Sequence, residues 1–279
     1  MKYFSILILL VIAVSGCSQL KFVYSFGGDA IQNETEFYLD LNEEEGAALE
    51  RRIEELVSWH RAEMLPLYAE FFRKGAEAVD RGALDEPRVR LVIEEMRYLL
   101  RQTVEGAVPH VATVMVGHTK PRKLNHLRAR MAERSSERRK ELEVPKLEWL
   151  SERTESSVRR FRRFFGDLSD VQVAMVRRYF ADTAGSSKPW QRVREDRRQA
   201  FLAFLTGRPD QDQIAKFLPR IMLHSEEVVG PEYKRLAVAW WARFTDWMVE
   251  MMGSLDANQR QYFSKTLRDY ADDMIDLSS

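Results

Sequence analysis

One cysteine near the amino terminus has the residue type and the surroundings that most clearly indicate chemistry. Cys17 is the only cysteine of the chain, and Val14-Ser15-Gly16 precedes it. An apolar stretch from Tyr3 to Val14 follows Lys2. A basic residue, an apolar core of about ten residues and a small residue before the cut are typical of a secretory signal peptide, whereas a membrane span needs about twenty apolar residues. We therefore expect residues 1–16 to be a signal peptide and the mature chain to begin at Cys17.

The run Val14-Ser15-Gly16-Cys17 also resembles the lipobox of bacterial lipoproteins. That resemblance implies a diacylglycerol thioether on Cys17 and acyl chains such as palmitate that anchor the protein in a membrane. Each buried methylene contributes about 0.8 kcal/mol, so several chains anchor a protein stably. In Gram-negative lipoproteins an aspartate after the cysteine is the usual signal for the inner membrane, and Ser18 stands there instead. We expect a location in the cell envelope, at the outer membrane and facing the periplasm.

A lipidated Cys17 restricts the chemistry that the rest of the chain can perform. No thiol would be left for a disulfide, a thiolate metal site or nucleophilic catalysis. The histidines lack the spacing of a zinc site, and the sequence contains no serine elbow, phosphate-binding glycine loop or dinucleotide fingerprint. We predict no catalytic residues, no metal and no cofactor. His60 lies on an apolar helix face and is interpreted as a hydrogen-bonded core histidine; a cell-wall-modifying enzyme that depends on His60 is the alternative.

Charge is balanced over the whole chain but uneven along it. Lysine plus arginine and aspartate plus glutamate both number 43, so no overall field favours nucleic acid. From Lys120 to Arg163, however, fifteen basic residues stand against seven acidic ones. Arginine clusters bind phosphates and carboxylates, which predicts lipopolysaccharide, phospholipid headgroups, peptidoglycan or an acidic envelope protein as partners; a solvated helix face is the other interpretation. The strongest candidate patch consists of Arg159, Arg160, Arg162 and Arg163.

Apolar residues recur with helical spacing along the chain, and no segment alternates as a strand would. We predict an all-α fold, a multi-helix bundle of about eight to ten helices with no sheet. Residues 17–30 are interpreted as the lipidated amino terminus and tether, and 31–279 as the helical domain, with a division into two packed halves near 166 left open. The predicted helices cover Leu41 to Gly82 with a bend or new start at Pro66, Asp85 to Glu105, His110 to Gly117, Pro121 to Gly166 with an interruption at Pro145, Asp170 to Thr183, Pro189 to Thr206, Asp210 to Ser225, Pro231 to Met252, and Ala257 to Leu277.

Three predicted helix starts share one motif, which is a leucine, a capping residue, two further residues and then Glu or Gln. The copies are Leu41 to Glu45, Leu168 to Gln172 and Leu255 to Gln259. The cap oxygen accepts from an early backbone amide, and the Glu or Gln returns a bond to the cap, so we interpret the motif as structural. The last two copies also resemble the Leu-Thr-x-x-Gln signature of Spy-type periplasmic chaperones. That resemblance implies an ATP-independent chaperone or an envelope-stress sensor as the alternative function.

Features spread over most of the chain resemble a family of bacterial lipoproteins of unknown function. They are the aromatic-rich start, Trp59-His60-Arg61, Leu65-Pro66, Gly166 to Gln172, Leu255 to Arg260, and Leu267 to Asp273. This resemblance implies an all-helical envelope lipoprotein and brings no activity with it. The function expected from the sequence is therefore non-catalytic binding or scaffolding.

One aromatic and methionine-rich helix bears on the chaperone alternative. Tyr233, Trp240, Phe244, Trp247 and Met251 share a face of the helix from Pro231. Such a stripe is usually core. Exposure of the flanking Trp241, Met248 and Met252 would instead favour an adaptable client-binding surface.

Overall fold

The computed structural model describes residues 17–140 and 143–279, and the regular secondary structure in this part is entirely helical. The signal peptide predicted for residues 1–16 lies outside the described residues. The helices are α1 (Cys17–Tyr38), α2 (Glu43–Trp59), a π-helical turn (His60–Met64), α3 (Leu65–Asp80), α4 (Glu86–Val116), α5 (Pro121–Lys140), α6 (Lys146–Phe165), α7 (Asp170–Thr183), a 3-10 turn (Ala184–Ser186), α8 (Ser187–Thr206), α9 (Gln211–Met222), α10 (Glu226–Val229), α11 (Pro231–Gly253) and α12 (Ala257–Ser278). The prediction of an all-α multi-helix bundle without a sheet is confirmed for this part of the chain.

Local sequence determines where several of these helices begin. Asn42, Ser169 and Asp256 each accept a hydrogen bond from the amide three residues later, and the Glu or Gln at that position bonds back to the cap. Asp210 forms a further capping box that the leucine motif did not identify, because Pro209 stands at the leucine position. Each cap contributes about 1 kcal/mol and fixes the first turn.

Helix α4 corrects a predicted break. The sequence divided this region at Gly106 and Pro109, but one helix runs from Glu86 to Val116. A Cβ atom at Gly106 would lie 1.9 Å from a ring carbon of Trp59, so the glycine admits the indole of α2 rather than ending α4. An internal proline costs about 3 kcal/mol. Burial of apolar side chains such as Val108 and Met115 contributes about 1.5–3 kcal/mol each and offsets that cost.

Helix α1 includes residues 17–30, the segment interpreted from the sequence as the lipidated amino terminus and tether. The backbone is helical without interruption from Cys17 to Tyr38, a length of about 33 Å at 1.5 Å per residue. The Gly27-Gly28 pair does not break the helix, because Gly28 faces α2, where its Cβ position lies 3.9 Å from Ile53. Helix α1 packs against α2, α5 and α12.

The apolar cores combine the two parts of the chain on either side of Gly166. This glycine follows the end of α6 with φ of 72°, in the left-handed region that favours glycine. The most extensive helix packing joins α12, at the carboxyl end, to α3. Each of the four buried clusters likewise draws residues from before and after Gly166.

Candidate functional site

The end of the body nearest Cys17 is fixed by an aromatic contact. Tyr24 lies about two turns after Cys17 on α1 and packs against the cluster that contains the fully buried Leu65 and Met274. The guanidinium of Arg61 lies 5.3 Å from the centroid of the Tyr24 ring. Tyr24 therefore packs on the domain, whereas Phe26 is 52 % exposed.

His60 is the partner of Tyr24. The Tyr24 hydroxyl and Nδ1 of His60 share a hydrogen bond, and their rings stack with centroids 5.9 Å apart. Burial lowers the pKa of His60 to about 4, so the imidazole is neutral at pH 7. Glu63 is exposed to solvent rather than directed at the imidazole. This is the hydrogen-bonded, packed histidine that the sequence predicted.

A π-helical turn places His60 in this position. The turn covers His60–Met64, directly before α3, which carries Pro66 in its first turn. The predicted bend or new helix start at Pro66 is thus confirmed. A π turn inserts one extra residue into a helix and changes the direction of its side chains. His60 consequently faces Tyr24 and Tyr68, the latter with ring centroids 5.6 Å apart.

The long basic segment divides into two parts with different surroundings. On α5, the basic side chains pair with acids on α1 and around the start of α2. Lys123 bonds to Glu45, Arg122 lies 2.8 Å from Asp40, and Arg134 lies 3.3 Å from Glu34. These pairs connect α5 to neighbouring elements, so the basic residues that form them have a structural role rather than lying on a purely solvated face.

The four arginines predicted as a patch occupy the last turns of α6. Arg159 and Arg162 are exposed, and Arg160 and Arg163 are partly buried. Arg162 has Asp167 at 3.9 Å, but within the described parts of the chain no carboxylate forms an ion pair with the other three. Burial lowers the pKa of the Arg160 guanidinium, and the neighbouring positive charges of Arg153, Arg163 and Arg159 lower it further. The structure therefore gathers a patch with an excess of positive charge that can receive an anion.

This patch lies on the flank to which α1 is fixed. Phe164, from the same turn of α6, stacks on Tyr270 of α12 with ring centroids 5.6 Å apart. Tyr270 belongs to the cluster against which Tyr24 packs. The aromatic cluster thus joins the α6 arginine turn to the amino-terminal part of α1.

The two glutamine-containing helix starts meet each other in the interior. Gln172 and Gln259 are 2 % and 7 % exposed, and their side-chain amides exchange reciprocal hydrogen bonds of 2.8 and 2.9 Å. The nitrogen of Gln172 also bonds to the Ser254 carbonyl, and that of Gln259 bonds to the Asp167 carbonyl. The motif therefore links α7 to α12, a structural role. The repetition of the motif was the only sequence signal for this contact.

A comparison of the sequence with family models assigns the chain. The model of a family of unknown function, DUF6279, matches residues 37–234. The chain belongs to the DUF6279 family. No curated protein and no solved structure matches it.

Some of the features described above lie inside the residues matched by the DUF6279 model, and others lie outside them. His60, the α6 arginines and Gln172 lie within residues 37–234, whereas Tyr24 and Gln259 lie outside them. Both hydrogen-bonded pairs therefore connect the DUF6279 region to a segment that the match does not cover.

The aromatic and methionine face of α11 is packed in this DUF6279 protein. Trp247 and Met251 are buried, and Met252 is 4 % exposed. Trp241 is partly buried, with the Arg97 guanidinium 4.8 Å from its ring centroid. This face contributes to the core, so it does not present the exposed surface that would favour client binding.

The described residues contain neither a cluster suited to a metal ion nor a helix suited to crossing a membrane. Among residues 17–140 and 143–279, no group of three or more His, Cys, Asp or Glu side chains is arranged to hold a metal ion. In the same part of the chain, no helix combines the length and the apolar character that crossing a bilayer requires.

Proposed function

We propose that the protein is a lipid-anchored envelope protein that acts by binding or scaffolding and catalyses no reaction. One observation carries this proposal. The helix that begins at Cys17 is fixed to the folded body about two turns later by Tyr24 and its contacts with His60. A lipid on Cys17 would therefore orient the whole body relative to the membrane, which is useful to a protein that presents a surface there.

The surface presented would include the α6 arginine patch. Because the Tyr24 cluster joins this flank to α1, anionic groups near the anchor are its natural partners. A basic residue near an anionic membrane surface contributes about 1 kcal/mol. Phosphates of lipids or lipopolysaccharide and carboxylates of peptidoglycan share the required chemistry.

The packing of α11 and the state of His60 support this proposal over the two alternatives. A chaperone of the Spy type would need an adaptable exposed surface, whereas Trp247 and Met252 are buried. A cell-wall-modifying enzyme would need a reactive group. His60 has its Nδ1 occupied by Tyr24 and a pKa of about 4, far from that of a base suited to pH 7.

Lipid labelling tests the anchor. Cys17→Ala should abolish incorporation of labelled palmitate and leave an unprocessed precursor, and the matched variant Ser18→Ala should retain both labelling and processing. In a Gram-negative host, Ser18→Asp should move the labelled protein from the outer-membrane to the inner-membrane fraction. Labelling of Cys17→Ala would refute the anchor.

Crosslinking in intact envelopes tests the surface. A photoreactive residue in place of Glu155, exposed on α6, should capture a partner that is lost in Arg160→Gln/Arg163→Gln. The control pair Arg128→Gln/Arg139→Gln removes two exposed α5 charges and should leave the capture unchanged. Equal capture by both pairs would contradict a role for the patch. Suppression of client aggregation by the full chain without ATP would support the chaperone alternative instead.

A further inference from the structure

A partly open cavity lies between α5, α8 and α9, at the opposite end of α1 from Cys17. Its volume is about 340 Å³, and Tyr38, the last residue of α1, is one of its walls. Ligand-binding cavities measure about 300–1,000 Å³, so the size suits a small molecule.

One side of the cavity is apolar and held in place by the core. Phe201 of α8 and Met222 of α9 line it, together with the buried Leu218 and Ile221. All but Ile221 belong to or pack against one buried cluster, which fixes the positions of these side chains. This wall is therefore preformed and can receive an apolar group.

The other side carries four arginines and a single glutamate, Glu195. The glutamate is already committed. Nε of Arg198 donates to it at 3.0 Å, and Gln199 and Ser135 donate at 3.0 and 3.3 Å. The bonded Arg198 guanidinium holds the pKa of Glu195 below its usual range, so the carboxylate stays ionised and paired. Its charge is therefore paired with Arg198 rather than with Arg197 or Arg138.

Two arginines of the cavity wall, Arg197 and Arg138, have no described carboxylate as an ion-pair partner. Nε of Arg197 is buried and has no hydrogen-bond partner among the described residues, and the guanidinium lies 5.9 Å from the centroid of the Tyr233 ring. Burial lowers the pKa of the Arg197 guanidinium, and no carboxylate is among the groups that oppose this shift. Nε of Arg138 donates to the Arg134 carbonyl at 3.2 Å, and no described carboxylate pairs with its guanidinium. A buried charge without a counter-ion is destabilising by several kcal/mol, which an anionic ligand would relieve.

We propose that this cavity binds a small anionic amphiphile, a phosphate or carboxylate attached to a short apolar chain, with the anion at Arg197 and Arg138 and the chain against Phe201 and Met222. The site requires both parts of the ligand. An inorganic anion would leave the apolar wall wet, and a neutral chain would leave the arginines uncompensated. The proposal does not depend on lipidation of Cys17, because the cavity lies at the far end of α1.

Calorimetry on the full chain in a nonionic detergent tests the site with defined probes. Hexyl phosphate has about eleven non-hydrogen atoms, which matches the cavity at about 30 Å³ per water-sized group. Hexyl phosphate should bind. Comparison of its affinity with that of hexanoate shows whether the site prefers a phosphate or a carboxylate. Hexanol and inorganic phosphate should each bind at least about tenfold more weakly than the better of the two amphiphiles, about 1.4 kcal/mol.

Matched variants locate the binding. Arg197→Gln and Arg138→Gln should each weaken binding by about tenfold or more, since a charge-assisted hydrogen bond contributes about 1.5–3 kcal/mol. The controls Arg192→Gln on α8 and Arg139→Gln on α5 remove exposed charges of the same helices and should not change the affinity. Arg138→Gln is on a different helix, so it keeps the test valid if Arg197→Gln fails to fold. Binding of hexanol as tight as that of either anionic probe, or unchanged binding in Arg138→Gln, would overturn the proposal.

Discussion

The reciprocal pair formed by Gln172 and Gln259 gives the sharpest test of how this fold is held together. We predict that Gln172→Ala lowers the free energy of unfolding far more than an ordinary capping substitution does. The side chain of Gln172 accepts from the Ser169 amide at 2.9 Å and from the Gln259 amide at 2.9 Å. It also donates to Gln259 at 2.8 Å and to the Ser254 carbonyl at 3.2 Å.

The expected loss in free energy of unfolding depends on the hydrogen bonds that Gln172→Ala removes and on the buried polar groups that it leaves without partners. Each hydrogen bond lost contributes about 0.5–1.5 kcal/mol, and a buried polar group left without a partner costs about 1–3 kcal/mol. Gln259 keeps its bond to the Asp167 carbonyl and the bond that its oxygen accepts from the Asp256 amide, but its second amide N–H loses its acceptor and its oxygen loses one of two donors. Adding a small cavity, we expect Gln172→Ala to destabilise the protein by about 3–5 kcal/mol.

A matched control and a double-mutant cycle isolate the pair in urea unfolding of the full chain. Gln213→Ala removes the same capping bond at Asp210 but at an exposed position, and should cost only about 1 kcal/mol. Gln172→Ala and Gln259→Ala should be strongly non-additive, with a coupling of about 1–2 kcal/mol, because either change breaks the same bonds. Additivity within about 0.5 kcal/mol would refute the reciprocal pairing.

Three further predictions concern packing, titration and capping. Gly106→Ala should destabilise the protein by about 1–3 kcal/mol through a clash with the indole of α2, and Trp59→Leu should relieve part of that loss in melting experiments. The pKa of histidine in the unfolded chain is near 6.5, and that of His60 in the folded protein is about 4. The stabilisation of the folded protein that depends on a neutral His60 should therefore be complete above about pH 6.5 and be lost as pH drops through 4, by on the order of 3 kcal/mol. His60→Phe should remove this part of the pH dependence of urea unfolding and His224→Gln, at an exposed position, should not; equal curves for both would contradict the shift. Asp85→Ala should cost about 1 kcal/mol by removing the α4 cap, and an unchanged unfolding midpoint would contradict that role.

Signals that act locally made much of this fold predictable from the sequence. Asp85, Ser169 and Asp256 mark helix starts because a side-chain oxygen next to the first turn satisfies its free amides whatever surrounds it. Gly166 marks a helix end because its backbone adopts positive φ. The long helical periods between such signals predicted the all-α architecture, since each period produces one apolar face that must be covered.

The features that the sequence did not predict depend on contacts between distant residues. From the sequence alone Gly106 indicates a helix break, and only the fold shows that the indole of Trp59 occupies the space beside it. The proximity of Gly28 to Ile53 of α2 likewise depends on how the two helices pack. The pairing of Gln172 with Gln259 joins positions 87 residues apart, and periodicity within either helix contains no information about it.

The candidate binding sites were also only partly predictable from the sequence, because ion pairing depends on which helices meet. A count along the chain identified one basic segment, but pairing with acids such as Glu45 and Glu34 compensates part of its α5 charge, whereas in the α6 turn only Arg162 has a described carboxylate within 4 Å. Of the cavity arginines, Arg138 lies within that basic segment, whereas Arg194, Arg197 and Arg198 of α8 lie outside it and become significant only where α5 and α9 enclose them.

The α6 patch lies on the flank where Tyr24 packs and the cavity lies at Tyr38, and these two positions of α1 are about 21 Å apart at 1.5 Å per residue. No small ligand spans that distance, and charges so far apart are screened at physiological salt, where the Debye length is about 8 Å. Substitutions at the two sites should therefore act independently: Arg160→Gln/Arg163→Gln should leave the affinity for hexyl phosphate unchanged, and Arg138→Gln should leave envelope crosslinking from α6 unchanged. A change in either would mean that the two sites are coupled through the helices between them, and the assignment of two separate binding surfaces would have to be replaced by one.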